Sequence, residues 1–264
     1  MAANWKTISV VVVFIATLLL SSPHLEAKAA KEFDFYYYVL MWPGSFCDQY
    51  NGDGCCMPTA RAPAIDFFIS GLWTYNFTTD LPVTRCKNES FDIGAISFLK
   101  RDLNLFWSNI KCPSTSAAPL WKSAWNVYGV CSGLCEYSYF DLALALREYK
   151  IPLLHTLEAN GILPTTYRLY KLDYIKNLIE EKLGATVTIH CNKNDLGQWQ
   201  LYQVFVCVGK NATQYYYPII SCPKNSKFSN CGEEVSFPPF TLDMLKGTTP
   251  LSNNMIEMFT DGSP

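Results

Sequence analysis

The chain has 264 residues, a formal net charge of −2, and a composition that is 49% apolar, 15% aromatic and 17% charged. So much apolar material with so little net charge excludes a disordered polyelectrolyte, and the length suits one large domain or two small ones. A pI near 5.9 argues against nucleic-acid binding through bulk positive charge, which needs clustered lysine and arginine. The 11 cysteines are too many for a reduced cytosolic domain unless metal is bound, and there are only 3 histidines.

Residues 1–30 are predicted to be a secretory signal peptide. Lys6 precedes an apolar run from Ile8 to Leu20, and small residues then predict cleavage near residues 27–30. The apolar run is about 13 residues long, too short to span a bilayer, so a retained membrane anchor is the weaker alternative. We therefore expect a secreted or vacuolar protein with no membrane segment after signal removal.

All 11 cysteines follow the predicted signal peptide, and in an oxidising compartment their default state is the disulfide. The odd total leaves at least one thiol free or bonded between chains. A metal site is the weaker alternative, because there is no paired C-x-x-C and because His190 beside Cys191 lacks zinc-ligand spacing. No cofactor is expected. Three Asn-x-Ser/Thr triplets predict N-glycans in surface loops, at Asn76, Asn88 and Asn211.

The mature chain mixes predicted strands and helices without a strict βαβ alternation, which favours an α+β fold. In chain order, the pattern predicts strands over 33–41 and 66–69, helices over 90–107, 121–128, 137–149 and 167–183, and strands over 186–190, 201–208 and 215–220. No linker divides this region. We predict one domain over residues 31–235 and a C-terminal extension over residues 236–264.

Two tryptophan-rich segments stand out, Phe67 to Trp73 and Trp121 to Cys131. Taken alone, each is typical of core packing. Together with the hexapeptide Trp42-Pro43-Gly44-Ser45-Phe46-Cys47 and the Cys55-Cys56 pair, they resemble the plant secreted ribonuclease T2 family. That family carries a leading Trp-Pro-x-x-Tyr/Phe-Cys and two signatures, Phe-x-Ile-His-Gly-Leu-Trp-Pro and Phe-Trp-x-His-Glu-Trp-x-Lys-His-Gly-Thr-Cys. The order and approximate spacing match from about residue 33 to 231, and the resemblance implies a disulfide-rich antiparallel sheet packed with helices.

The chain departs from the family pattern where the family has ionisable groups. Ser70 stands at the histidine of the first signature. In the second signature, Ser123, Ala124, Val127 and Tyr128 stand at the histidine, glutamate, lysine and histidine. The glycines, tryptophans and cysteines of both signatures remain.

RNA cleavage through a 2′,3′-cyclic phosphate needs one group to take the 2′-hydroxyl proton and another to protonate the leaving 5′-oxygen. Both groups work best with a pKa near ambient pH, and a cation must stabilise the phosphorane. Serine does not titrate there, tyrosine has an unperturbed pKa of roughly 10, and alanine and valine carry no proton to transfer. His155 and His190 lie outside both signatures and are expected to be structural or surface residues. We therefore predict a homologue that has lost its catalytic histidines.

The resemblance also implies the disulfide pairing, which leaves Cys135 free or bonded between chains, and a dimer through Cys135 is one expectation. The implied pairs are Cys47–Cys55, Cys56–Cys112, Cys86–Cys131, Cys191–Cys231 and Cys207–Cys222.

Three functions of different classes are compatible with these features. The leading hypothesis is an inactive plant glycoprotein with a storage or defence role. The second is a binding module, in which Trp42, Trp73, Trp121 and Trp125 line the former catalytic cleft and hold a small molecule or weakly bind RNA. Core packing of these tryptophans is the alternative that we favour. The third is an enzyme with residual endoribonuclease or new activity, but no base beside the two serines can be named.

Overall fold

The computed structural model describes residues 32–49, 52, 54–213, 215–224 and 226–246. The predicted signal peptide and residues 247–264 lie outside this range. Within the described residues, no helix is both long enough and apolar enough to cross a membrane.

The described residues form a mixed α+β domain, as predicted. The strands are β1 (Phe35–Met41), β2 (Cys55–Cys56), β3 (Phe68–Asn76), β4 (Leu81–Pro82), β5 (Thr165–Lys171), β6 (Thr188–Lys193), β7 (Trp199–Gly209), β8 (Ile219–Ile220), β9 (Glu234–Phe237) and β10 (Leu245–Lys246). The α-helices are α1 (Pro43–Cys47), α2 (Lys100–Phe106), α3 (Ala118–Val127), α4 (Glu136–Ala145), α5 (Leu153–Ala159) and α6 (Leu172–Leu183).

One large sheet organises these elements. Its strand order is β4-β3-β1-β7-β9-β5, and β6 and β8 also pair with β7. The pairing is antiparallel except between β7 and β9, which are parallel where Gln200 meets Ser236. The sheet is therefore mixed rather than purely antiparallel. A separate two-stranded parallel ladder joins β10 to β2.

Strand β1 is buried on both faces of the sheet. Side chains alternate along a strand, so two sets of β1 residues enter two different cores. Tyr36, Tyr38 and Leu40 join the larger core beneath the helices. On the other face a smaller, mostly aromatic core contains Phe35, Tyr37, Val39, Tyr75, Phe205, Cys207 and Cys222, with Trp73 and Phe228 packed against it.

Five disulfides cross-link the domain, and they are the pairs that the resemblance implies: Cys47–Cys55, Cys56–Cys112, Cys86–Cys131, Cys191–Cys231 and Cys207–Cys222. Each such bridge contributes roughly 2–4 kcal/mol in a chain-entropy account. Cys135 is free and exposed.

Two predicted helices are only partly correct. In the range 90–107, residues 93–96 form turns and only Lys100–Phe106 is α-helical. Asp92 accepts a 2.8 Å hydrogen bond from the Gly94 N–H and donates its own N–H to Glu136, which competes with a helical start. In the range 167–183, the first part is strand β5 because it pairs with β9, and the helix begins at Leu172.

The predicted strands differ from the observed ones mainly in length. The strand predicted over 66–69 is the start of β3, which continues through the whole first signature to Asn76. The strand predicted over 215–220 is limited to Ile219–Ile220. The runs predicted over 33–41 and 201–208 correspond to β1 and β7.

Residues 236–246 pack within the domain, although the sequence placed them in the C-terminal extension. Phe237, Phe240 and Leu245 are buried in the larger core. Trp42 donates a 2.7 Å hydrogen bond from Nε1 to the Pro238 carbonyl. The folded region therefore continues beyond residue 235, at least to Lys246.

This packing makes Phe237→Ala a test of the C-terminal boundary. The Phe237 ring is fully buried, 4.7 Å from the Trp42 ring centroid and 6.1 Å from that of Phe67. Removing it should lower the free energy of unfolding by about 3–5 kcal/mol. The matched change Phe98→Ala, at a side chain that is 90% exposed, should alter stability by less than about 0.5 kcal/mol. Urea unfolding with intact disulfides measures both, and equal losses would contradict the observed packing.

Candidate active site of a degenerate type

Ser70, at the first-signature histidine position, lies at a β-bulge in β3. The register between β1 and β3 shifts between Val39 and Leu40, which leaves Ser70 as the extra residue. Bulges re-aim side chains and are frequent beside active sites. The Ser70 Oγ accepts a 3.3 Å hydrogen bond from Nε2 of Gln203 on β7. Sequence reasoning missed Gln203, whose only signal is an amide within the mainly apolar run of residues 201–208.

The second signature lies on α3 and its C-terminal cap, Tyr128. Ser123 is exposed, whereas Ala124, Val127 and Tyr128 are half-buried. Positions three and four apart lie on one helix face, so the four replaced positions are brought together. We use the name signature cleft for these four positions together with Ser70 and Trp73, the first-signature residues on β3.

A ring contact joins the two signatures. Tyr128 stacks on the indole of Trp73, with ring centroids 5.8 Å apart and planes inclined by 21°. Burial raises the pKa of the Tyr128 phenol above its ordinary value, and the Arg85 charge opposes this with a smaller effect. The phenol therefore stays protonated at neutral pH, and it cannot replace an imidazole that must exchange protons there.

The remaining surroundings of Trp73 are also aromatic. Phe205 and Phe228 meet the Trp73 ring edge-on, with centroids at 5.6 and 6.0 Å, and they stack on each other at 4.7 Å. Lys227, the residue before Phe228, bonds to Asp80 and anchors this segment beside β3. The single tryptophan at the cleft is thus covered by side chains of the chain itself.

The other three tryptophans lie in the core rather than in the cleft. Trp42, Trp121 and Trp125 are exposed by no more than 3%. The Nε1 of Trp42 donates to the Pro238 carbonyl and that of Trp121 to the Trp107 carbonyl, so both indole dipoles are satisfied internally. The structure thereby corrects the expectation of a cleft lined by four tryptophans and agrees with core packing.

Three tryptophan rings occupy the space in which a nearby glycine would otherwise carry a side chain. A Cβ on Gly71 would collide with the Trp73 indole, and a Cβ on Gly129 would collide with that of Trp125. Gly44 is similarly crowded by Trp42 and by two carbonyl oxygens. These glycines are therefore required for packing, whatever the chemistry of the site.

Neither His155 nor His190 forms a hydrogen bond with a residue of the signature cleft in the part of the chain that the structure describes. His155 is exposed on α5. His190 lies on β6, where its Nδ1 bonds to the Phe228 carbonyl at 2.9 Å. In the sheet order β3-β1-β7-β6, His190 is the cross-strand partner of Gln203, so the amide of Gln203 lies between the imidazole and Ser70. No group of three or more metal-ligating side chains occurs among the described residues.

Cys135 caps the N-terminus of α4 and has a reactive environment. Its Sγ lies 3.2 Å from the Ser138 Oγ. Hydrogen bonds from the Ser138 hydroxyl and from the helix N–H groups lower the thiol pKa below its ordinary value.

The three predicted glycan acceptors differ in accessibility. Asn88 and Asn211 are exposed, whereas Asn76 is half-buried at the end of β3. Its Oδ1 accepts hydrogen bonds from the Thr79 N–H and hydroxyl, at 2.8 and 3.0 Å. Glycosylation at all three positions remains a prediction.

Comparison with known proteins identifies the class. Residues 33–231 match the family model described as "Ribonuclease T2 family". Because this match covers most of the chain, including both signatures and all five disulfides, the protein belongs to the ribonuclease T2 family.

Individual relatives place the chain among plant members of that family. Ribonuclease 3 of Arabidopsis thaliana is 35% identical over 229 residues, covering 86% of this chain and 99% of that protein. A ribonuclease-like storage protein of Panax ginseng is 28% identical over 220 residues, covering 83% of this chain and 87% of its own length. The solved structure of RNase NT in complex with 5′-AMP has a TM-score of 0.73 and 38% identity, covering 80% of this chain and 100% of that one.

The environment of Cys135 makes its alkylation rate a direct test. Without reductant, iodoacetamide should modify one thiol per chain, at Cys135. Ser138→Ala should slow this reaction at pH 7, because loss of the hydroxyl raises the thiol pKa and reduces the thiolate fraction. At a pH well above the thiol pKa, the unmodified protein and Ser138→Ala should be alkylated at the same rate.

Ser114→Ala, at another exposed serine, serves as the control and should leave the rate unchanged. Non-reduced peptide mapping completes the measurement. Cys135 bonded to any of the other ten cysteines would contradict the observed pairing, and a covalent dimer abolished by Cys135→Ser would establish a bridge between chains.

Proposed function

We propose that this chain is a plant ribonuclease T2 homologue that does not cleave RNA. The observation that carries the proposal is the chemistry of the five replaced positions. Ser70, Ser123, Ala124, Val127 and Tyr128 together offer no group that exchanges a proton near pH 7 and no cation for the phosphorane.

Neighbouring ionisable groups do not restore the missing chemistry. Arg85 is close enough to influence Tyr128, but a guanidinium stays protonated and cannot act as a base. General acid–base catalysis requires hydrogen-bond reach of roughly 2.6–3.2 Å or one bridging water. His190 lies opposite Gln203 in the β6–β7 pairing and bonds to the Phe228 carbonyl, and Gln203 is the residue that bonds Ser70. Ser70 itself bonds to an amide rather than to a base.

The physiological role that we propose is a storage or defence glycoprotein of the secretory pathway, secreted or vacuolar. Support comes from the predicted signal peptide, the five disulfides and similarity to a protein named as a storage protein. A storage protein needs a stable and soluble fold rather than a working site. Storage is therefore the first role to test.

Binding of RNA or a small molecule in the signature cleft is the weaker alternative. Stacking on bases needs an accessible aromatic face. Three of the four candidate tryptophans are buried, and Trp73 already stacks on Tyr128. No observation favours this alternative over an unused cleft.

An RNA-cleavage assay with restored signature residues tests the loss of activity. The unmodified protein should not cleave RNA above background. A variant carrying Ser70→His, Ser123→His, Ala124→Glu, Val127→Lys and Tyr128→His should gain cleavage, since one acid or base is typically worth about 10²–10⁴-fold. Its rate should follow a bell-shaped pH profile set by imidazole groups.

The matched control carries the same changes but with Ser70→Ala, and it should lose most of the gained rate. Substantial RNA cleavage by the unmodified protein would refute the proposal, provided that the activity co-purifies with the protein. Loss of that cleavage in His190→Ala would identify the group responsible.

The storage role predicts a specific pattern of abundance. The protein should be a major component of storage tissue and should fall during mobilisation, as measured by quantitative mass spectrometry. Trace expression confined to one cell type would count against storage and leave defence as the proposed role.

A further inference from the structure

A second concave site lies beside the signature cleft, on the neighbouring edge of α3. It is a cavity of about 510 Å³, within the usual size range for small-molecule sites. Lys122 and Asn126 line it from α3, and the loop that follows β4 supplies Arg85, Lys87, Ser90 and Phe91. We call it the α3 pocket. None of these residues is among the five replaced signature positions.

The pocket has an excess of positive charge. Arg85, Lys87 and Lys122 are exposed, and none of them forms an ion pair with another described residue. Glu89 is the single carboxylate in the lining. Three cations against one anion, in a concave surface, favour an anionic ligand.

The neutral polar side chains of the lining add hydrogen-bonding groups of both kinds. The Oδ1 of Asn126 is buried and accepts no hydrogen bond from the described residues. This unpartnered oxygen can accept a hydrogen bond from a ligand hydroxyl, and the Nδ2 of the same amide is a donor. Ser90 adds a hydroxyl, which can donate or accept.

The loop is held in a conformation that costs energy. Arg85 has φ of +52°, which is uncommon for a residue other than glycine. Its N–H donates a 2.9 Å hydrogen bond to the Val127 carbonyl, and the next residue is fixed by the Cys86–Cys131 disulfide. Such strain is frequent at binding sites, and here it positions a cation at the pocket.

Phe91 provides the apolar part of the pocket. Its ring is half-buried and rests edge-on against Phe140, with centroids 6.2 Å apart. This contact orients the Phe91 ring, and the ring also lines the α3 pocket. A flat organic group can lie there while its anionic end meets the cations.

We propose that the α3 pocket binds a phosphorylated small molecule with a flat ring, of which a nucleoside monophosphate is the representative. The phosphate meets Lys87, Lys122 and Arg85, and the ring lies on Phe91. This site is separate from the signature cleft and does not depend on whether RNA is cleaved.

The test is calorimetric titration of the full glycosylated protein at low salt with 5′-AMP, inorganic phosphate and adenosine. We expect 5′-AMP to bind most tightly, phosphate more weakly, and adenosine least. The double variant Lys87→Gln/Lys122→Gln should lower the affinity for 5′-AMP at least tenfold. The matched control Lys111→Gln/Lys210→Gln makes the same change in net charge at exposed positions outside the pocket and should leave it unchanged.

Two further variants separate the pocket from its surroundings. Phe91→Leu should weaken 5′-AMP binding but not phosphate binding. Trp73→Ala alters the signature cleft and should leave the affinity for 5′-AMP unchanged. The proposal would be overturned if Trp73→Ala lowered this affinity and Lys87→Gln/Lys122→Gln did not. Because Asn88 lies at the rim, Asn88→Gln is titrated as well. Absence of 5′-AMP binding in both this variant and the unmodified protein also overturns it.

Discussion

The packing of tryptophan rings over glycines is the constraint on which the rest of this domain depends. Gly44, Gly71 and Gly129 each leave a space that an indole occupies, so replacement of any of them would displace a large ring. The same rings also contact other elements, Trp42 at Phe67 and Phe237, Trp73 at Tyr128 and Trp125 at Tyr139. A fully buried aromatic side chain typically contributes several kcal/mol, so this frame accounts for a large share of the stability margin of a domain.

Such a frame explains how the signature residues of a ribonuclease can be divided into two sets. The glycines, tryptophans and cysteines keep their places because the core and the disulfides require them. The ionisable positions lie on the surface of that frame, where Ser123 is exposed and Ala124, Val127 and Tyr128 are half-buried. Surface substitutions usually change stability by less than about 0.5 kcal/mol, so the catalytic set can be replaced while the fold persists.

The sequence predicted local features well and long-range ones poorly. The strand predicted over residues 33–41 and the helix predicted over residues 121–128 depend on local sequence, and they correspond to β1 and α3. The helix predicted over residues 167–183 includes residues 167–171, but these form β5 because β9, some 65 residues later, supplies its pairing partner. The hydrogen bond from Gln203 to Ser70 and the packing of Phe237 on Trp42 also join residues that are far apart in the sequence, so local patterns could not predict them. The disulfide pairing came from family resemblance, because spacing alone leaves many connectivities open.

Charge is unevenly distributed around α3. Ala124 and Val127 are uncharged on one face of the helix, whereas Lys122 and Arg85 line the pocket on the neighbouring edge. Arg85 also acts on Tyr128 in the signature cleft, where its charge opposes the larger effect of burial on the phenol pKa. At the cleft itself Trp73 meets Tyr128 and two phenylalanines, which makes that surface aromatic and neutral. Positive charge therefore lies beside the signature cleft rather than within it, at a pocket where the proposed ligand would bind without proton transfer.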